Sequence, residues 1–253
     1  MERPFLLAQL SDPHVGADWG DGDPVAGLAA AVDAVVAMPQ RPDAVLVSGD
    51  LAEHADDSEY EQVRELLAPL GTRVHVLAGN HDDRRAVRRH FEIAAADGEY
   101  LQYSVDLGLL RLVVVDTTRP GADSGELDSA RLDWLDAELA EAPDTPTVLA
   151  MHHPPLVTGV PAWDEILLPA ADRRALASVL ERHQQVRRLV AGHVHRAMTG
   201  DLAGRVVQTV PSTYLQARLN FDSDRIELVQ GPASFALHAL LDGEVVSHLQ
   251  PVT

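Results

Sequence analysis

Asp12-Pro13-His14, Gly49-Asp50, Gly79-Asn80-His81-Asp82, Met151-His152-His153-Pro154 and Gly192-His193-Val194-His195 each follow a short apolar run. Together they offer carboxylate, amide oxygen and imidazole, a ligand mixture that suits divalent or trivalent first-row metals, with no cysteine to soften it. In Asp12-x-His14, residues i and i+2 of an extended segment project to the same side, so the spacing predicts that both reach one ion. His193-x-His195 has the same spacing, although a turn there would aim the two rings at neighbouring ions. Asp50 follows a glycine, whose missing Cβ lets the backbone turn tightly, and its two oxygens predict a bridge between two ions. Asn80 adds a neutral oxygen, and Pro154-Pro155 stiffens the loop behind His152. Taken singly, an Asp-x-His pair or a Gly-Asp turn means little. Their joint occurrence with complementary ligand types points to a two-metal hydrolase.

The elements that must position these groups alternate. Apolar runs at 5–10, 44–48, 73–78, 147–151 and 187–191 predict buried strands, bounded by turn residues. Between them the pattern predicts helices over 24–38, 59–67, 84–91, 128–141 and 170–182, with Pro24 in a first turn and Asp57-Ser58 capping the second helix. Runs at 100–105 and 109–115 flank Asp106-Leu107-Gly108 and predict a hairpin. From Arg196 onward short strands follow, at 205–210, 225–229, 234–241 and 244–249, the last two joined at Asp242-Gly243. Ligands at the carboxyl ends of parallel strands converge on one edge of a sheet, where open α/β folds bind their ligands. No repeat or linker interrupts residues 1–253, which are expected to form a single domain.

Composition sets outer limits. The formal charge is −19, and all 20 basic residues are arginine. Such a field repels polyanions, which argues against a duplex-nucleic-acid substrate. A small phosphate ester is still drawn in where metal ions dominate the local potential. No apolar stretch approaches the roughly 20 residues needed to span a bilayer, so no membrane partner and a cytoplasmic location are expected.

The motifs that carry ligands, spread from residue 12 to 195, resemble the signature of the calcineurin-like metallophosphoesterases. More narrowly, Gly49-Asp50-Leu51, Gly79-Asn80-His81-Asp82-Asp83-Arg84 and Pro211-Ser212-Thr213 resemble the class III cyclic-nucleotide phosphodiesterases and the bacterial glycerophosphodiesterases. This resemblance implies a four-layer α/β/β/α sandwich with two mixed sheets, the strand-rich C-terminal third fitting the second sheet. It also implies two ions per chain, drawn from manganese, iron, zinc or cobalt. The first would take Asp12, His14, Asp50 and His195; the second Asp50, Asn80, His152 and His193. His81 would stand beside the phosphoryl group without binding metal, stabilising charge or protonating the leaving oxygen. A metal-activated hydroxide would attack phosphorus in line with the leaving alkoxide.

Asp82 and Asp116 are candidates for orienting the imidazoles. Glu53-His54 departs from relatives that carry Asp after Gly-Asp-Leu-x, and His54 would either touch substrate or stand in solvent. Residues 82–100, 155–169 and 211–223 fall where the family builds its substrate rim. Within them Arg84, Arg85, Arg88 and Arg89 would face a phosphate or solvent, and Trp163 and Tyr214 would stack on a base or pack in the core. The expected activity is hydrolysis of cyclic nucleotides or similar small phosphodiesters. Glycerophosphodiester hydrolysis or a broad-specificity phosphoesterase is the alternative, and a non-catalytic module of the same fold the remote one. Homo-oligomerisation stays open.

Overall fold

The computed structural model describes residues 3–93 and 99–252. Part of the expected rim, 94–98, lies outside the described residues. Strands β1 (Phe5–Leu10), β2 (Ala44–Ser48) and β3 (Arg73–Leu77) run parallel, as their apolar sequences and intervening helices require. Helix α1 (Pro24–Val36) begins where the Asp23 carboxylate accepts the N–H groups of Val25 and Ala26, and it buries Leu28, Ala31, Val32 and Val35 along one face. Helix α2 (Asp57–Leu67) is capped one residue before the expected position. Asp56 is the cap residue, and Glu59 reaches back to accept its N–H.

After α3 (Arg84–His90) come the hairpin strands β4 (Tyr103–Asp106) and β5 (Arg111–Val114), then α4 (Ser129–Ala140), β6 (Thr147–Ala150), the short α5 (Pro161–Asp164), α6 (Ala170–Arg182) and β7 (Val186–Ala191). The remainder is β8 (Met198–Leu202), β9 (Arg205–Thr209), β10 (Gln216–Ala217), β11 (Leu228–Val229), β12 (Ser234–Leu241) and β13 (Glu244–Pro251). One sheet has the order β13-β12-β1-β2-β3, the other β4-β5-β6-β7-β9-β8, and β10-β11 form a small ribbon.

The C-terminal third therefore does not build the second sheet alone. Strands β8 and β9 extend it, but β12 pairs antiparallel with β1 and carries β13 onto the first sheet. Alternating burial along these strands reads the same whichever sheet receives them, so sequence does not assign the partner. Strands β8 and β10 and helix α5 were not foreseen, being short and weakly patterned.

Three apolar layers separate four structural ones. Ala8, Leu10, Val45 and Val47 pack outward against α1 and α2, while Val113, Leu149 and Leu189 pack against α4 and α6 on the opposite side. Leu7, Leu46, Leu112, Val114, Val148 and Val190 fill the space between the sheets. Each such side chain contributes about 1.5–3 kcal/mol by burial, so the middle layer locks one sheet against the other. That lock matters because both sheets supply the candidate ligands. No helix among the described residues is long and apolar enough to cross a membrane.

Candidate metal centre

Each predicted ligand sits just beyond the carboxyl end of a strand: Asp12 and His14 after β1, Asp50 after β2, Asn80 after β3, His152 after β6, and His193 and His195 after β7. They converge from the edges of two sheets rather than one. The local backbone also differs from the extended geometry read from Asp12-x-His14. Asp12, His14, Asp50, His193 and His195 have φ of 50°, 46°, 48°, 69° and 46°, five of the nine non-glycine residues with positive φ among the described residues. Left-handed turns, not strand alternation, aim these side chains. Such conformations cost of order 1–3 kcal/mol each and persist only where the surroundings impose them. Here the neighbours do: a Cβ on Gly79 would lie 2.1 Å from Asp50 Oδ1, and one on Gly192 2.2 Å from Ser11 Oγ.

The hydrogen bonds decide the chemistry of the cluster. His14 Nδ1 faces Glu53 Oε2 at 2.8 Å, His152 Nδ1 faces the Ser48 carbonyl at 2.9 Å, His193 Nε2 the Ile166 carbonyl at 3.1 Å, and His195 Nδ1 the Leu215 carbonyl at 2.9 Å. These oxygens only accept, so each of those nitrogens carries the proton. The opposite nitrogens of His14, His152 and His195 present lone pairs toward Asp12 and Asp50. His14 Nε2 lies 3.0 Å from His195 Nε2 and 3.6 Å from Asp50 Oδ2, while His152 Nε2 lies 3.2 Å from Asp50 Oδ2 and 3.1 Å from Asn80 Oδ1.

Asp12, His14, Asp50 and His195 bring ligand atoms within 4.8 Å of one another, and His152, His153 and His193 form a second such group. Asp50 does not offer one oxygen to each group, as its position in sequence suggested. Its Oδ1 accepts the His81 N–H at 3.0 Å, and Oδ2 alone faces both sets. Acceptors crowded together in a buried site repel unless a cation sits among them. The donor set, nitrogen and oxygen without sulfur, fits borderline first-row ions.

Protons and a metal ion compete for the same lone pairs. Burial alone would depress His152, but the Asp50 carboxylate overrides it and pushes the imidazole up to about 9. Burial raises Asp12 to about 6. Burial, with His14 nearby, drives His195 down to about 3. Adjacent groups pulled in opposite directions are what a positive charge would even out.

Glu53 is the functional residue that sequence reasoning missed. Besides His14 Nδ1 it accepts Trp19 Nε1–H at 2.7 Å, and its Oε1 lies 3.5 Å from His81 Nδ1. It does the orienting expected of Asp82 and Asp116. Asp82 instead accepts the N–H groups of Leu51, Ala52 and Gly79 and the Tyr60 hydroxyl, tying the Asp50 turn to the Asn80 turn. Asp116 binds Arg84 at 2.6 Å and the Leu101 N–H. Neither carboxylate touches an imidazole of the cluster. The departure from Asp to Glu at position 53 was the available signal, since the longer side chain is what reaches His14. Replacing Glu53 with alanine is expected to weaken metal binding about 10- to 100-fold, measured by calorimetric manganese titration; unchanged affinity would mean that His14 needs no orienting partner.

His153 lies against His193 but has both ring nitrogens occupied, by the Thr117 hydroxyl and the Asp123 carbonyl, which leaves no lone pair for an ion. His54 is exposed and bonded to Glu59, away from the site. Arg84 is consumed by Asp116, Arg89 pairs with Asp57, Arg88 donates to the Tyr100 carbonyl, and Arg85 lines a groove next to the cluster. Trp163 lines the cavity over His193 and His195, whereas Tyr214 packs on Trp19 and donates to its carbonyl.

Residues 5–197 match the family described as calcineurin-like phosphoesterase. The chain belongs to that family. This calcineurin-like phosphoesterase is 30% identical over 252 residues to the glycerophosphodiester phosphodiesterase GpdQ of Enterobacter lignolyticus, covering 96% of this chain and 90% of that protein. It is 33% identical over 230 residues to a probable cyclic nucleotide phosphodiesterase of Rhodococcus erythropolis, covering 87% and 75%. Among solved structures, a dimetal phosphatase from Danio rerio superimposes with a TM-score of 0.69 at 17% identity, over 99% of this chain and 100% of that one, a likeness of fold. The four-layer sandwich with two mixed sheets is that shared fold.

Proposed function

We propose that this chain is a two-metal phosphodiesterase acting on cyclic nucleotides or similar small phosphodiesters, with residues 1–253 working as one domain. One observation carries the reading: three buried imidazoles turn their lone pairs toward two buried carboxylates, with Asp50 Oδ2 between His14 and His152, and His193 grouped with His152 beside them. Asp12, His14, Asp50 and His195 would hold one ion, and Asp50, Asn80, His152 and His193 the other, as manganese, iron, zinc or cobalt. When bound, such a pair supplies a nucleophile from water near neutral pH and neutralises charge on the phosphoryl oxygens.

The chain supplies the rest. His81 is one-third exposed at the mouth, with Nδ1 turned to Glu53 and Nε2 without a partner among the described residues. That nitrogen is placed to hydrogen-bond a phosphoryl oxygen or to protonate the departing alkoxide. Asn80 and His81 line two adjoining cavities. One, of about 230 Å³, has apolar walls from Trp19, Trp163, Ile166, Ile226 and Leu228; the other, of about 380 Å³, has Arg85, Thr118 and Arg119. A diester carries two organic arms and a monoester one, and two cavities meeting at His81 favour the diester. The names borne by the relatives agree with this substrate class.

Side-by-side rates with manganese-loaded protein test the reading, using bis(p-nitrophenyl) phosphate, cyclic AMP, cyclic GMP, 2′,3′-cyclic nucleotides and glycerophosphodiesters. Turnover of at least one diester well above that of p-nitrophenyl phosphate is expected. Preference for glycerophosphodiesters would select that alternative. No turnover of any ester would favour a binding module of the same fold.

A further inference from the structure

A line of polar side chains leaves Asp12 on the side away from the cavity and runs through the apolar layer between the sheets. Ser11 Oγ donates to Asp12 Oδ2 at 2.5 Å, and Ser48 Oγ donates to Ser11 Oγ at 2.7 Å. Gln9 Nε2 donates to Ser48 Oγ at 2.8 Å, and His238 Nε2 meets Gln9 Oε1 at 3.0 Å. His238 Nδ1 faces Ser247 Oγ at 2.7 Å. Ser11, Gln9, Ser48 and His238 are buried at 0–1% exposure, and Ser247 on β13 is half-buried.

The direction of every bond can be worked out. Gln9 Nε2 also contacts the Ala191 carbonyl of the opposite sheet at 3.2 Å. A carbonyl only accepts, so that atom is the amide nitrogen and Oε1 must be the acceptor toward His238. His238 therefore carries its proton on Nε2, and Nδ1 accepts from the Ser247 hydroxyl. Burial, with Arg188 nearby, pushes the His238 imidazole down to about 3, so the ring is neutral, as this tautomer requires. Ser48 shares its one hydroxyl proton between Ser11 Oγ at 2.7 Å and the Leu10 carbonyl at 3.2 Å; along the shorter contact all five bonds point one way, Ser247 to His238 to Gln9 to Ser48 to Ser11 to Asp12. Donors aligned in series polarise one another and end on a carboxylate, the group that gains most from them.

Resting on the two-metal reading above, we propose that Gln9 and His238 are positioning residues that, through Ser48 and Ser11, hold Asp12 as an oriented anionic ligand and so set the affinity of the ion beside His14 and His195. The relay meets Asp12 at Oδ2, and the His193 N–H donates mainly to Oδ1 at 2.9 Å, with Oδ2 at 3.2 Å. The carboxylate plane is thereby fixed with Oδ1 toward His195 Nε2, 3.8 Å away. His238 lies on β12, beyond the 5–197 span of the family match, so the strand that closes the first sheet also reaches the candidate site.

The test is stepwise manganese titration by calorimetry, paired with manganese electron paramagnetic resonance, on wild type and on Gln9→Leu, His238→Phe, His238→Gln and Ser247→Ala. Wild type is expected to bind two ions in two resolvable steps. Gln9→Leu and His238→Phe should weaken one step about 10- to 100-fold and leave the other within about twofold, so that the coupled two-ion signal needs more manganese to appear. His238→Gln, which keeps a donor for Gln9 Oε1, should recover most of the loss. Two wild-type affinities in His238→Phe, with only the metal-free melting temperature lowered, would overturn the relay and leave a structural network. Failure of wild type to bind two ions would instead overturn the two-metal reading itself. Should Gln9→Leu not fold, Ser247→Ala at the half-buried end decides, since a relay predicts a small selective loss at the same step and a structural network predicts none.

Discussion

Asp50→Ala is expected to bind fewer than one ion per chain and to lose at least about a thousandfold in turnover of bis(p-nitrophenyl) phosphate. Asp50 Oδ2 lies between the two lone-pair groups, 3.6 Å from His14 Nε2 and 3.2 Å from His152 Nε2. Removing it leaves the group of Asn80, His152 and His193 with no anionic ligand, so that ion should be lost first. The other group keeps Asp12 and retains weak affinity. Elemental analysis after desalting, alongside far-ultraviolet circular dichroism to confirm the fold, measures this directly. Asp50→Asn separates charge from shape, because it preserves the acceptor for the His81 N–H while removing the anion. Two ions per chain in Asp50→Ala would mean that the sites are independent and the bridging assignment is wrong.

His81→Ala should behave in the opposite way, keeping both ions while losing about 10²- to 10⁴-fold in rate. The main-chain N–H of residue 81 holds Asp50 Oδ1, and alanine retains that bond. What disappears is the one-third-exposed ring beside Glu53 and the cavity mouth. The leaving group distinguishes its two available roles. If the imidazole protonates the departing oxygen, an alkyl diester should suffer far more than a p-nitrophenyl ester, whose phenolate departs without help. If it stabilises phosphoryl charge, both should fall alike. Loss of an ion from this variant would make His81 a ligand, and an unchanged rate would make it a bystander.

Much of the site was legible before folding was considered. Strand ends announced themselves as apolar runs stopping at Gly-Asp, Gly-Asn-His and Gly-His-Val-His, and the structure brings those residues together. The mode of convergence was not legible. Alternation along an extended chain seemed enough to pair Asp12 with His14, yet both residues sit in left-handed turns imposed by glycine contacts and by neighbouring loops. Glu53 stood out in the sequence only as a departure from relatives that carry Asp, with no role attached, and only the reach of its side chain to His14 and Trp19 reveals its work. Asp82 looked like an orienting group from its place beside His81, but its oxygens are filled by backbone N–H groups.

Residue types and their order along the chain thus determined the ligand chemistry, the alternating βα framework and the family, because those depend on local periodicity and on short motifs. Tertiary structure alone decided which sheet received β12 and β13, which nitrogen of each imidazole is free, and that Gln9 and His238 stand in line behind Asp12. These are facts of packing and hydrogen-bond direction between segments up to 229 residues apart. Strand pattern is the same for either partner sheet, and a histidine shows its tautomer only once its neighbours are in place.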